Sequence, residues 1–234
     1  MFNNSVIDVL SQINGITNSV ILKYPKTVAV SESQDMMVLF DVSKLDSDQF
    51  PDIGLKDSLT DFLNLFKLFS ESPKVHIENN SINVSSDNMS SSYIMDNIAL
   101  MDAYDKNPDQ FDKTEQVPTV ASFDMMNDDI KSIKAATAVF KDLSEVIFTS
   151  KDGDMKISLG ATNKFNAKSN TFSVTKNANT SKEFDIKIPV DNFKMIPISD
   201  YTVNVKYNSS RDSYRILMDN KSLDGFKILM SVKV

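Results

Sequence analysis

The stretch DSLTDFLNLFKLFSESPKVHIENNSINV, residues 57–84, changes its hydrophobic period partway along. Leu59, Phe62, Leu63, Phe66 and Phe69 recur at three- and four-residue spacing, which predicts a helix buried on most of its circumference. Asp57-Ser58 are good N-cap types, and Pro73 forbids continuation because it has no N–H and clashes with the preceding turn. Past the proline, Val75-His76-Ile77 and Ile82-Asn83-Val84 alternate with period two, and Asn79-Asn80 between them reads as a hairpin turn. One short helix followed by strands is therefore the unit of this chain. Only Thr60, Asn64 and Lys67 form a narrow polar strip on that helix, and such a strip must face something wet.

The unit recurs four times, and repetition at this scale implies an architecture. Upstream, Val6, Ile7, Leu10 and Ile13 share one helical face and Asn14-Gly15 marks its end. Downstream, a third helix starts among Asn127, Asp128 and Asp129, whose charges suit a helix N-terminus, and is expected to bury Ile130, Ile133, Phe140 and Leu143. A fourth, Asp191 to Ile196, is cut short by Pro197. Met155-Lys156-Ile157-Ser158-Leu159 alternates as a strand, Asp152-Gly153 before it reads as a hairpin turn, and Tyr201 to Tyr207 and Tyr214 to Met218 flank the turn 208–211. Phe226 to Val234 closes the chain as a strand.

Length and composition fit two domains of two units each. A chain of 234 residues can bury roughly 70% of the surface of its unfolded form. Between Asp102 and Val117, Asp105, Lys106, Asn107, Pro108, Asp109 and Gln110 show almost no apolar period, so residues 105–117 read as a connector between a domain at 1–104 and another at 118–234. There is no cysteine, which excludes disulfides and thiolate metal sites. No apolar run approaches membrane-spanning length, and Met1-Phe2-Asn3-Asn4 lacks the regions of a signal peptide, so the expectation is a cytoplasmic protein.

The net charge of −7 opposes broad adhesion to nucleic acid unless cations are gathered in one place. On the third helix Lys131, Lys134 and Lys141 fall within roughly 80° of arc, away from Ile133 and Phe140, with only Ala138 interrupting. A solvated face is the commoner explanation of such a stripe.

Enzyme chemistry finds little support, and no cofactor is expected. His76, the single histidine, sits between Val75 and Ile77 as an outward-facing strand residue. Five glycines without a Gly-rich strand-to-helix turn give no phosphate loop or dinucleotide fingerprint. Asp124, Asp128 and Asp129 could hold Mg²⁺, but their place at a helix start is explained by capping. Asp46-Ser47-Asp48 and the acids of 102–112 read as solubilising loops.

Three segments carry a resemblance to a known family. They are Gln12-Ile13-Asn14-Gly15 leading to Val20-Ile21-Leu22-Lys23; Val117-Pro118-Thr119-Val120-Ala121-Ser122 opening the second half; and Asn192-Phe193-Lys194-Met195 followed by Pro197 and Tyr201. In order and spacing the chain, over nearly its whole length, resembles the sliding clamps, ring-shaped processivity factors of DNA polymerases, most closely those of T-even-type bacteriophages. The resemblance implies an α+β DNA-clamp fold of two similar domains, each with two helices on one face of antiparallel sheet. It implies six domains closing a ring, hence a homotrimer that encircles double-stranded DNA without reading sequence.

The same resemblance assigns roles to residues. Lys131, Lys134 and Lys141 are expected on the DNA-facing wall, with Lys67 and Asn64, and with Lys194 on the shortest helix. The first helix departs from the pattern, since its polar side offers Asn4, Asp8 and Ser11 and no cation. A hydrophobic pocket between the domains, beside the connector and the C-terminal strand, is expected to take apolar tails of DNA polymerase and other partners, with Val117, Met230 and Val232 nearest it. Edge strands such as Thr171 to Thr175 are expected at the subunit contact, through Thr171, Ser173 and Thr175. A clamp-loader ATPase and late-transcription factors are further implied partners. The competing reading is a strand-rich viral structural or assembly protein without DNA function; a metal-dependent nuclease using Asp128 is a third.

Overall fold

The computed structural model describes residues 4–45, 50–69, 73–78, 80–161 and 171–234. The chain folds as two compact units, Met1–Pro108 with Asp224–Phe226, and Asp109–Leu223 with Lys227–Val234. The acidic loop Asp46-Ser47-Asp48 and Asn79 of the expected hairpin lie outside the described residues.

In the first unit, α1 (Asn4–Asn14) precedes β1 (Val20–Leu22), β2 (Lys26–Val30), β3 (Met36–Asp41) and β4 (Ile53–Leu55); α2 (Leu59–Lys67) precedes β5 (Lys74–Glu78), β6 (Ser81–Ser85) and β7 (Ser90–Ile94). All its pairings are antiparallel: β1 with β4, β2 with β3, and the order β5-β6-β7. Val6, Val9, Leu10 and Ile13 are buried from α1, and Leu59, Phe62, Leu63 and Leu65 from α2, as the 3.6-residue period requires. The two helices touch. Ser58 does not cap α2 with its side chain. Asn18, in the turn between α1 and β1, does so: its backbone oxygen accepts from the N–H groups of Ser58 and Leu59, both at 3.0 Å, and its Oδ1 accepts from the N–H of Thr60 at 2.8 Å. Donors left over at the start of the second helix are thus satisfied by the turn that follows the first. Gly54 of β4 is a close-approach position, where a Cβ would lie 2.6 Å from the carbonyl oxygen of Asp96.

The second unit begins with α3 (Asp109–Glu115), so the stretch expected as a connector with almost no apolar period carries a helix, pinned by buried Phe111 and Thr114. One apolar residue in seven is too little period to read. Then come β8 (Thr119–Met125), α4 (Asn127–Val139), β9 (Glu145–Lys151), β10 (Asp154–Gly160), β11 (Ser173–Asn177), β12 (Asn179–Thr180), β13 (Phe184–Pro189), α5 (Val190–Met195), β14 (Tyr201–Asn208), β15 (Ser213–Asn220) and β16 (Phe226–Ser231). One antiparallel sheet runs β11-β10-β9-β13; in the other, β12, β8, β14, β15 and β16 neighbour one another in that order. The β9–β10 turn has Asp152 at φ 54° and Gly153 at φ 88°, the left-handed pair that a two-residue hairpin of matching twist needs. Ile130 and Ile133 of α4 and Phe193 of α5 are buried with Tyr201, Val203 and Val205, which alternate along one face of β14.

Candidate nucleic-acid interface

The polar sides of the four main helices carry few free charges. On α1 the exposed positions include Asp8 and Ser11, and on α2 they include Thr60, Asp61, Asn64 and Lys67. Lys67 Nζ donates to Asn64 Oδ1 at 2.9 Å, so the narrow strip read from the sequence is one hydrogen-bonded pair. Thr60 Oγ1 reaches Asn18 Oδ1 at 2.8 Å.

On α4 the lysine stripe is broken up. Lys131 is exposed and pairs with Asp128 at 3.3 Å, one helical turn away. Lys134 is half-buried, and its ammonium donates to the carbonyl oxygen of Ile196 at 2.5 Å. Desolvation pushes the Lys134 pKa down. Lys141 is not on the helix: α4 ends at Val139, Phe140 takes φ −101° and ψ 70°, and Lys141 stands exposed in the following turn. The expected arc of three therefore reduces to Lys131 outward and Lys134 inward. Phe140 is only half-buried, whereas Leu143 reaches the core from the turn, which is why the chain leaves the helix early. On α5, Lys194 pairs with Asp191 at 3.3 Å, repeating the geometry of Lys131 with Asp128.

The three acids at the start of α4 are engaged separately. Asp124 accepts from Lys221 at 2.6 Å, and that hydrogen bond holds its carboxyl below the usual carboxylate range. Asp128 serves Lys131. Asp129 accepts from the N–H of Met126 at 2.8 Å, closing the helix start, and pairs with Lys176 of β11. Among the described residues no group of three acidic or imidazole side chains is placed to hold a metal. His76 is exposed on β5, with Nε2 3.4 Å from Glu78.

The residues expected to meet partners are spread out. Val117 is half-buried in a cleft that α3 makes with the β14–β15 hairpin. Met230 is 1% exposed and lies opposite Ile216 in the β15–β16 ladder, so its side chain is core and offers no accessible surface here. Val232 is half-buried beyond the end of β16. Ser173 and Thr175 are exposed on β11, the terminal strand of its sheet, and Thr171 is exposed just before it.

Two further features were not read from the sequence. The acidic partners Asp128 and Asp191 were visible at i,i+3 spacing but were not paired with the lysines. The cleft also gathers Lys113, Arg211 and Arg215.

No protein-family model matches the chain, and no curated protein does. Solved structures do. The chain is similar to A. fulgidus PCNA, solved with the C-terminal region of FEN-1 bound, with a TM-score of 0.67 and 14% identity over 97% of this chain and 94% of that one. It is similar to a chain of the PCNA2–PCNA3 complex from Sulfolobus tokodaii, with a TM-score of 0.63 and 10% identity over 98% and 96%. A putative DNA polymerase III beta subunit from Eubacterium rectale gives a TM-score of 0.65 and 12% identity, over 98% of this chain and 63% of that longer one. Antiparallel sheets with helices α1 and α2 in the first unit and α3, α4 and α5 in the second, matched nearly from end to end by PCNA chains, give this protein the sliding-clamp fold.

Proposed function

We propose that this chain is a DNA sliding clamp, the subunit of a homotrimeric ring that encircles duplex DNA and tethers a DNA polymerase by topological linkage. The observation that carries the reading is the end-to-end match to PCNA chains, over 98% of this chain and 96% of the Sulfolobus tokodaii one. Helix-bearing units in pairs, repeated by three copies, supply six units for a closed ring.

The helices form the DNA-facing wall in this reading, with Lys131, Lys67, Asn64 and Lys194 as its contacts. Lys134 acts chiefly between helices, and Lys141 contributes only from a turn. Each of Lys131 and Lys194 stands beside an aspartate, so the wall is close to neutral rather than strongly basic. A ring held by topology does not need tight phosphate contacts, and weak, uniform ones let it translate without a deep energy well. Val117 and Val232 would meet apolar tails of the polymerase, with Met230 supporting them from the core. Ser173 and Thr175, with Thr171, would meet the next subunit through the edge of β11. The reading includes a clamp-loader ATPase, late-transcription factors and action in the cytoplasm of a phage-infected host. No helix among the described residues is long and apolar enough to cross a membrane.

Light scattering over a concentration series tests the ring directly. A mass approaching three times 26.2 kDa at high concentration is expected, together with stimulation of synthesis by the cognate polymerase on a long circular template. A mass fixed at one or two chains throughout would overturn the reading.

A further inference from the structure

The chain has only two arginines among its 25 basic residues, Arg211 and Arg215, and both line one cleft. This recess of about 300 Å³ lies between α3 and the β14–β15 hairpin. Lys206 and Arg215 are directly opposed in the β14–β15 register, so their side chains leave the same face of the sheet. Lys206 is nearly buried, and its ammonium donates to the backbone oxygens of Glu115 at 2.9 Å and Val117 at 3.2 Å, fixing the end of α3 over the strands. Arg215 is steadied by Thr114, whose Oγ1 accepts from its Nη1 at 3.1 Å. Arg211 projects from the hairpin turn, and Lys113 comes from α3.

No carboxylate among the described residues pairs with Lys113, Arg211 or Arg215. Of the nearby acids, Glu115 is bound to Lys227 and Asp212 accepts from the Tyr207 hydroxyl at 2.8 Å, while Asp109 and Asp112 lie on α3 within a turn of Lys113. Three cations at one recess, none held in an ion pair among the described residues, stand out in a chain of net charge −7. Strand alternation places this recess on the sheet face opposite buried Tyr201, Val203 and Val205; the Tyr201 hydroxyl donates to the carbonyl oxygen of Pro197, just past α5. A concave recess of this size admits one or two side chains and cannot follow the backbone of a duplex. Arginine's planar fork matches a carboxylate with two parallel hydrogen bonds, and Val117 gives the recess one apolar wall.

We infer that the α3–hairpin cleft is a docking site for a short acidic segment of a partner protein, whose carboxylates are held by Arg211, Arg215 and Lys113. The inference deepens the partner-binding part of the proposed function, and rests on it in giving the helical face to DNA and the opposite face to proteins. It adds a charge-selective anchor, distinct in chemistry from capture of apolar tails.

A fluorescein-labelled octaglutamate peptide, titrated with the full chain and followed by anisotropy, tests it. Saturable binding that weakens as salt rises is expected, because the contacts are partly exposed charges. Arg211→Ala combined with Arg215→Ala should weaken binding about tenfold or more while leaving the unfolding midpoint nearly unchanged. Arg211→Ala alone, which removes no side-chain hydrogen bond, should already weaken it severalfold. Lys131→Ala with Lys194→Ala should leave it unaltered. Equal affinity for wild type and the double arginine variant, or no saturable binding, overturns the inference. Tighter binding of a labelled oligothymidylate, lost in the same arginine variant, overturns it in favour of a nucleic-acid phosphate site. A trimer that stimulates polymerase but ignores the peptide refutes this inference alone, whereas a strict monomer that binds the peptide refutes the clamp reading alone.

Discussion

The ammonium of Lys134, on the side of α4, donates to the backbone oxygen of Ile196, the residue that ends α5. A lysine placed by spacing among DNA contacts is thereby a strut between two helices of one unit. The carbonyl it serves has no following helical turn to bond it, because Ile196, preceding Pro197, takes an extended ψ of 124° and the helix stops. Lys134→Ala should therefore cost about 1–2 kcal/mol in urea unfolding, since a charge-assisted hydrogen bond is lost and a part-buried acceptor is left open. Lys131→Ala should stay within about 0.5 kcal/mol. Equal losses for the two variants would contradict the assignment.

Lys134 also gives a pH signature. Burial lowers its pKa below the ordinary lysine value, so the folded state binds fewer protons than the unfolded state between the two. Its contribution to stability then rises with pH as the lowered value is crossed and levels off above the ordinary one, which lies near 10.4. Lys134→Met should abolish that rise, measured as the wild-type minus variant difference in unfolding free energy between pH 8 and pH 11.

Asp129 is the other joint of this unit, since it closes the start of α4 through the N–H of Met126 and pairs with Lys176 on β11. Side-chain exposures of 15% and 20% put this among the more enclosed ion pairs of the described residues. Removing one member of an enclosed pair costs more than the pair itself contributes, because the other charge stays behind. Asp129→Ala should destabilise by about 2–3 kcal/mol, combining cap and pair, whereas Lys176→Met should cost less. A double-mutant cycle in urea with coupling below about 0.5 kcal/mol would show that the pair is solvated instead.

What was legible in the sequence follows from what local chemistry can encode. Asp152-Gly153 specified a hairpin because few residue pairs accept two positive φ values, and the C-terminal end of α5 was set by Pro197. The end of α4 was not legible. Nothing between Val139 and Leu143 resembles a stop signal, and Phe140 and Leu143 continue the apolar spacing, so only the burial of Leu143 from a turn reveals the break. Asn18 capping α2 was hidden because the cap comes from 42 residues before Thr60. The arginine cleft was hidden for a similar reason, since Lys206 and Arg215 meet only once the hairpin register is known.

The paired aspartates make a prediction about DNA. Asp128 and Asp191 each sit 3.3 Å from the lysine one turn on, so they compete with phosphate for it. Asp128→Asn with Asp191→Asn should raise affinity for duplex DNA and steepen its salt dependence by up to about 0.9 in log–log slope for each lysine freed to meet a phosphate. Anisotropy of a labelled duplex between 50 and 200 mM salt measures this. An unchanged slope would mean that these helices do not face DNA.

The edge of β11 carries the final prediction. The N–H of Leu159 donates to the carbonyl oxygen of Phe172 at 3.1 Å, which fixes the phase of the ladder: Phe172, Val174 and Lys176 turn their backbone groups toward β10, while Ser173 and Thr175 turn theirs away. An outward-facing row of this kind is a template for another strand. Thr175→Pro removes one outward donor without touching the β10 ladder, so the monomer should fold with little loss of stability. If subunits join along this edge, each interface loses a backbone hydrogen bond and gains a steric obstruction, and the concentration for half-assembly should rise tenfold or more in light scattering. Lys156→Ala, on the strand behind, should leave assembly unaltered. Normal assembly of the proline variant would move the subunit contact to another edge.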